Sequence, residues 1–69
     1  MNKRREEKER AAQLKQTKQQ LETVTQALNA AYHTFNNVSD PVILDACIYE
    51  INALRSRRNS VLHDIRNLE

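Results

Sequence analysis

The fold is decided by residues 35–45, FNNVSDPVILD, which hold the one proline of a 69-residue chain that has no glycine. Asparagine, at positions 36 and 37, is the best substitute for glycine in the left-handed turn that often closes a helix. Ser39 or Asp40 can cap a second helix through a side-chain oxygen, and Pro41 suits its first position, where the missing N–H donor would be unpaired. This pattern predicts one helix that ends near residue 37 and a second that begins at Pro41.

Two apolar tracks flank this turn, and each advances in alternating steps of three and four residues, as in a heptad seam. The first track is Leu14, Thr17, Leu21, Val24, Leu28, Ala31, Phe35 and Val38. The second track is Leu44, Cys47, Ile51, Leu54, Arg58, Val61, Ile65 and Leu68. Folding the chain at Pro41 pairs them in one register, from Val38 with Leu44 to Leu14 with Leu68. We therefore predict an all-α fold, a coiled-coil-like antiparallel two-helix hairpin with helices at about residues 6–37 and 41–67.

Residues 1–12 are a charged segment without an apolar face. The first ten residues hold five basic and three acidic side chains, whereas six of each follow from position 11 onward. We interpret residues 1–12 as a frayed helical extension in solvent, with a basic contact arm as the alternative, and residues 13–69 as the hairpin domain. The balanced charge of the hairpin argues against broad attraction to nucleic acid or to a membrane.

The sequence gives no sign of a reaction or a bound ion. His33 and His63 fall on outward positions far apart along the hairpin, and Cys47 lies in the seam, so we expect no metal, no cofactor and no enzyme activity. No apolar run approaches the length of a membrane span, none follows the basic start as in a signal peptide, and one cysteine cannot form an internal disulfide. These features predict a cytoplasmic protein.

One side of the seam is more apolar than a solvated surface needs. We call it the e flank, after its heptad position: Lys18, Thr25, Tyr32, Ile48, Arg55 and Leu62. The opposite g flank is more polar: Gln20, Ala27, Thr34, Glu50, Arg57 and Asp64. Tyr32, Ile48 and Leu62 either widen the seam or form a docking surface. Because a chain this short has no second layer to cover that flank, we expect a homodimer or a protein partner.

Three arginines form the densest basic patch of the predicted hairpin, Arg55, Arg57 and Arg58. Such side chains bind carboxylate or phosphate in a two-pronged manner, so we include the patch in the candidate contact surface. Arg58 also interrupts the second track opposite Val24. We interpret it as a long stem over apolar neighbours with its charge in water. The alternative is a buried polar group that fixes the register or the partner, or that pairs with an acid supplied across an interface. Weak binding of nucleic acid through the patch is a further alternative.

The stretch from Ala27 to Ile65 resembles the YaaL-like family, small bacterial proteins of unknown function. The resemblance is carried by Ala30-Ala31-Tyr32, Phe35-Asn36-Asn37-Val38-Ser39-Asp40-Pro41, Leu44-Asp45, Ile48-Tyr49-Glu50-Ile51-Asn52-Ala53-Leu54 and Arg57. The chain departs from the family at Arg57-Arg58-Asn59, which stands where an Arg-Tyr pair is usual, so that the tyrosine is absent. The resemblance implies a small cytoplasmic protein of spore-forming or related bacteria and implies no activity.

The predicted hairpin is also similar to the small aspartyl-phosphate phosphatases of sporulation control, which are two-helix hairpins with a Ser-Gln-x-Leu-Asp signature on the second helix. The corresponding residues here are Ile48-Tyr49-Glu50-Ile51-Asn52, in which serine, glutamine and aspartate are absent. Only Asn52 offers an amide that could orient water on a partner receiver domain. We therefore favour a non-enzymatic, self-associating interaction module and keep a phosphatase-like regulator as the alternative.

Overall fold

Two long helices joined by a three-residue turn account for residues 3–68. The computed structural model describes residues 2–69, in which α1 spans Lys3–Asn37 and α2 spans Pro41–Leu68. The helices pack along one another as a rod of 60 × 14 × 12 Å. The prediction of an all-α antiparallel hairpin is confirmed, and both predicted helices lie within a few residues of their observed bounds.

The seam follows the two predicted tracks. Within residues 2–69, every buried residue belongs to these tracks: Val24, Leu28, Ala31, Cys47, Ile51, Val61 and Ile65, each between 4 and 9% exposed. Leu28, Ala31 and Ile51 form the centre of the core, with Phe35 and Leu54 packed against it. The remaining track residues are half-buried, except Arg58, which is exposed. The heptad pattern therefore predicted the buried face of each helix correctly.

The end of α1 differs from the prediction. No residue among those described has a positive φ, so the left-handed turn expected at residues 36–37 is wrong. Instead Val38 leaves the helix in an extended conformation, with φ −114° and ψ 151°. Asp40 is extended too, because the ring of the following proline disfavours helical backbone before it. Extended backbone at both ends of a three-residue turn bridges the two helices, so no left-handed residue is needed.

The start of α2 is capped by Asp40, one of the two predicted candidates. Its Oδ1 accepts a hydrogen bond from the Val42 N–H at 2.9 Å, and its carbonyl accepts one from Leu44 at 2.9 Å. Pro41 occupies the first turn, as predicted. The side chain thus satisfies a donor that a helix start leaves free.

We expect Asp40→Ala to lower the free energy of unfolding by about 0.5–2 kcal/mol, because the Val42 N–H loses its acceptor. Ser39→Ala is the matched control, since Ser39 is exposed in the same turn and a surface change of this kind costs only a few tenths of a kcal/mol. Urea unfolding followed by circular dichroism measures both variants. Equal stabilities would show that the cap contributes nothing.

The charged N-terminal segment belongs to α1, which begins at Lys3, three residues earlier than predicted. The Glu6 N–H donates to the Asn2 carbonyl at 3.1 Å and closes the first turn. At about 1.5 Å per residue, α1 is about 52 Å long and α2 about 42 Å. Residues 2–13 are all exposed, so this end of α1 projects past the end of α2 as a single helix.

Candidate docking surface

The e flank forms an apolar margin on one side of the seam. Tyr32 is 39% exposed and Ile48 44%, while Leu62 and Thr25 are half-buried. Their inner edges therefore pack on the hairpin and their outer edges face solvent. These side chains therefore widen the seam, and their outer edges leave apolar surface in solvent; a partner on that surface stays a prediction.

Two of the three candidate arginines lie beside Tyr32. Leu28, Tyr32, Arg55, Arg58 and Asn59 line a shallow depression of about 300 Å³ on this side of the rod. Helical side chains lean toward the N-terminus of their own helix, so in an antiparallel pair Tyr32 leans toward the two arginines and they lean toward it. The exposure of Arg58 supports the long stem with its charge in water and contradicts a polar group buried within the hairpin.

Arg57 lies on the other side of the rod. It lines a separate depression of about 390 Å³ together with Val24, Ala27 and Leu54, bordered by glutamine side chains of α1. Successive helical positions are about 100° apart, so three arginines within four residues cannot share one face. The arginine patch is therefore not a single surface, and only Arg55 and Arg58 adjoin the e flank.

A second apolar surface was missed in the sequence. Val42 is 77% exposed and Tyr49 is 78% exposed, on the side of α2 that faces away from α1. With two alanines they form what we call the outer stripe: Val42, Ala46, Tyr49 and Ala53. Its steps of four, three and four residues are a helical period and were visible in the sequence. The stripe was overlooked because the seam had already supplied the apolar face that one helix normally carries.

Charge is segregated along the rod. Residues 19–54, the turn half, carry four acidic and no basic side chains, whereas residues 1–18 and 55–69, the open half, carry all eleven basic and five acidic ones. One ion pair links the helices at the open end, with 4.0 Å between Lys18 Nζ and Glu69 Oε1. Both partners are more than half exposed, so the pair contributes at most about 1 kcal/mol.

The histidines and the cysteine stand apart from the e flank. Asn37 Nδ2 lies 3.4 Å from His33 Nδ1, and Asn67 Nδ2 lies 3.3 Å from His63 Nε2, each pair on the surface of its own helix. Cys47 is buried in the seam. Across residues 2–69, no three His, Cys, Asp or Glu side chains are grouped to hold a metal ion. Asn52, the residue on which the phosphatase-like alternative depends, is exposed on α2.

Comparison of the chain with protein-family models, with curated proteins and with solved structures finds no match. The resemblance to the YaaL-like family and the similarity to sporulation phosphatases therefore stay predictions. Within residues 2–69, no helix carries an apolar run of the length that a membrane span needs. What the structure defines is a helical hairpin with a partly exposed apolar flank.

Proposed function

We propose that this chain is a non-enzymatic interaction module of the bacterial cytoplasm, a helical hairpin that associates with a second copy of itself through the e flank. The contact residues are Tyr32, Ile48 and Leu62, with Arg55 and Arg58 at their margin. The observation that supports this proposal is the half-exposed apolar margin of the seam. A second hairpin laid on it would supply the layer that two helices alone lack.

The amount of exposed surface supports association. A compact chain of 8.1 kDa exposes about 4,500 Å² and has a radius of gyration of about 11 Å. This hairpin exposes 5740 Å² and has a radius of gyration of 16.7 Å. The excess of about 1,200 Å² is more than the roughly 800 Å² that one partner buries in a standard interface. Part of this excess belongs to residues 2–13, which project as a single helix away from the e flank, and the rest is surface that a second copy can cover without any change of fold.

The packing of the seam points the same way. No side chain of the described residues is less than 2% exposed, and even the core keeps 4–9% of its surface in water. Burial stabilises in proportion to the apolar area removed from solvent, at about 25 cal/mol per Å². Covering the e flank would bury the margin of the seam together with Tyr32 and Ile48, and would stabilise each hairpin as well as the pair.

The thermal midpoint should depend on protein concentration if this proposal is right. Because a dimer is favoured by mass action, raising the concentration from about 1 to 100 μM should raise the midpoint by several degrees. Circular dichroism at 222 nm over that range measures it. A constant midpoint would contradict self-association. A constant midpoint together with DNA binding that weakens steeply as salt is added would favour the nucleic-acid alternative. A constant midpoint together with capture of a different protein would favour a heterologous partner.

A further inference from the structure

We infer that the second copy lies antiparallel to the first, with α2 packed against α2, so that the turn half of each hairpin faces the open half of the other. This inference rests on the proposed function and adds the orientation and the contacting residues. It is carried by a stripe of side chains along α2 and by the segregation of charge along the rod.

The stripe runs along the e flank side of α2 at the e positions and the neighbouring b positions of the heptad. We call it the α2 stripe: Asp45, Ile48, Asn52, Arg55, Asn59, Leu62 and Arg66. Its steps alternate between three and four residues, so the side chains follow one line on the helix surface. Leu62 is half-buried and the other six are exposed, which leaves the stripe free for contact.

When two copies of the α2 stripe run in opposite directions, apolar residues oppose apolar ones and opposite charges oppose one another. Ile48 and Leu62 lie seven residues on either side of Arg55, so a two-fold axis at Arg55 places Ile48 against Leu62 of the second copy. The same axis places Asp45 against Arg66, ten and eleven residues from the centre. Asn52 then meets Asn59, and two amides can exchange hydrogen bonds. Each of these contacts occurs twice, as a two-fold interface requires.

The two copies of Arg55 do not oppose one another at the axis. Each side chain leans toward the N-terminus of its own α2, and the two helices run in opposite directions. The guanidinium groups therefore separate along the rod, each toward the depression that holds Tyr32 of its own hairpin. There the Arg55 guanidinium can lie against the Tyr32 ring in a cation–π interaction, which becomes stronger when the interface excludes water.

The parallel arrangement of the same two helices is unfavourable. It would place each residue of the α2 stripe beside its own copy, so Asp45 would meet Asp45 and Arg66 would meet Arg66. Like charges directly opposed destabilise such contacts. It would also align the acidic turn half with another acidic half, and the basic open half with another basic half. Antiparallel packing places the acidic turn half of each hairpin beside the part of the open half that α2 spans, which carries six basic and two acidic side chains, while residues 2–12 extend past the turn of the second copy.

Reversal of charge at the two ends of the α2 stripe tests the orientation. Asp45 and Arg66 are 21 residues apart, about 32 Å along one helix, so they cannot compensate each other within a hairpin. Asp45→Arg alone should weaken dimerisation about fivefold or more, because two ion pairs become two repulsions. Adding Arg66→Asp should restore the affinity. Glu50→Arg, the same change of charge on the g flank, should have a smaller effect than Asp45→Arg, and the three dissociation constants come from sedimentation equilibrium.

A distance between spin labels gives a second measurement. With Cys47 changed to Ala and a label on Ser39→Cys at the turn, two antiparallel hairpins should hold their labels more than about 40 Å apart, whereas parallel hairpins would hold them within about 20 Å. A dimer with the short distance, or one that Arg66→Asp does not rescue, would overturn the antiparallel orientation and leave self-association standing. A native chain that stays monomeric would overturn both.

Discussion

The double variant Ile48→Glu with Leu62→Glu is expected to be a folded monomer. Ile48 is 44% exposed and Leu62 is half-buried, so each still has apolar area that only a partner can cover. Losing about 1 kcal/mol at each of four side chains per dimer weakens association by roughly a thousandfold. The added carboxylates must also be desolvated in the interface, which increases the loss.

The control for this variant is Val42→Glu with Tyr49→Glu on the outer stripe. It introduces the same two charges on the same helix, at side chains that are even more exposed. Sedimentation equilibrium should give the monomer mass for the e flank variant and the dimer mass for the control. The opposite result would show that the docking surface is the outer stripe. A dimer mass for both variants would show that neither surface forms the interface. Circular dichroism establishes that each variant keeps its helices.

The second large effect is expected at the centre of the seam. Ile51 is 8% exposed and packs in the core with Leu28 and Ala31. Ile51→Ala removes buried methyl groups and leaves a cavity, which costs about 2–5 kcal/mol. Domains of this size rarely have more than about 3–5 kcal/mol of stability, so most of this variant should be unfolded at 25 °C. The helical signal at 222 nm measures the folded fraction.

Ile43→Ala is the matched control for the seam. It deletes the same atoms from the same helix, but Ile43 is 44% exposed and lies outside the two tracks. Because the Ile43 side chain buries less apolar area than Ile51, its truncation should lower the free energy of unfolding by about 1 kcal/mol or less. Equal losses at positions 43 and 51 would mean that the seam is not the core of the fold.

The sequence predicted the seam because one physical requirement fixes it. Two helices with eight matched layers bury their apolar tracks in only one register, and the turn at Asp40 and Pro41 sets that register. The exposed position of Arg58 within a track also follows from its side chain, since a long stem can leave its charge in water. Burial at the other track positions therefore needed no information beyond spacing.

The features that the sequence did not predict depend on weaker or competing forces. The start of α1 at Lys3 has no apolar contact to fix it, because residues 2–13 are all exposed. Charges three or four residues apart on such a helix end contribute only a few tenths of a kcal/mol per pair. The left-handed turn was wrong because Asp40 precedes a proline and takes an extended backbone. The outer stripe has helical spacing, but no matching apolar track exists elsewhere in the sequence. Spacing alone could not show whether such a face is buried or exposed.

The candidate docking surface was predicted only in part, to the extent that the heptad pattern fixes its position beside the seam. Tyr32 and Ile48 follow from the heptad, which places them beside the seam, and the structure finds them there. Arg57 was grouped with Arg55 and Arg58 by sequence distance, although the helical repeat turns it to the g flank. The α2 stripe was not recognised in the sequence, because its proposed contacts are with a second copy and not with α1. Its pattern could be interpreted only once the structure showed which side of α2 is exposed.

Sedimentation equilibrium of the native chain at 10–100 μM tests the proposed self-association most directly. The expected mass is twice the 8.1 kDa of one chain, with a helical circular dichroism signal under the same conditions. A single species of 8.1 kDa that stays fully helical over this range would contradict the account, because the e flank would then be stable in water without a second copy.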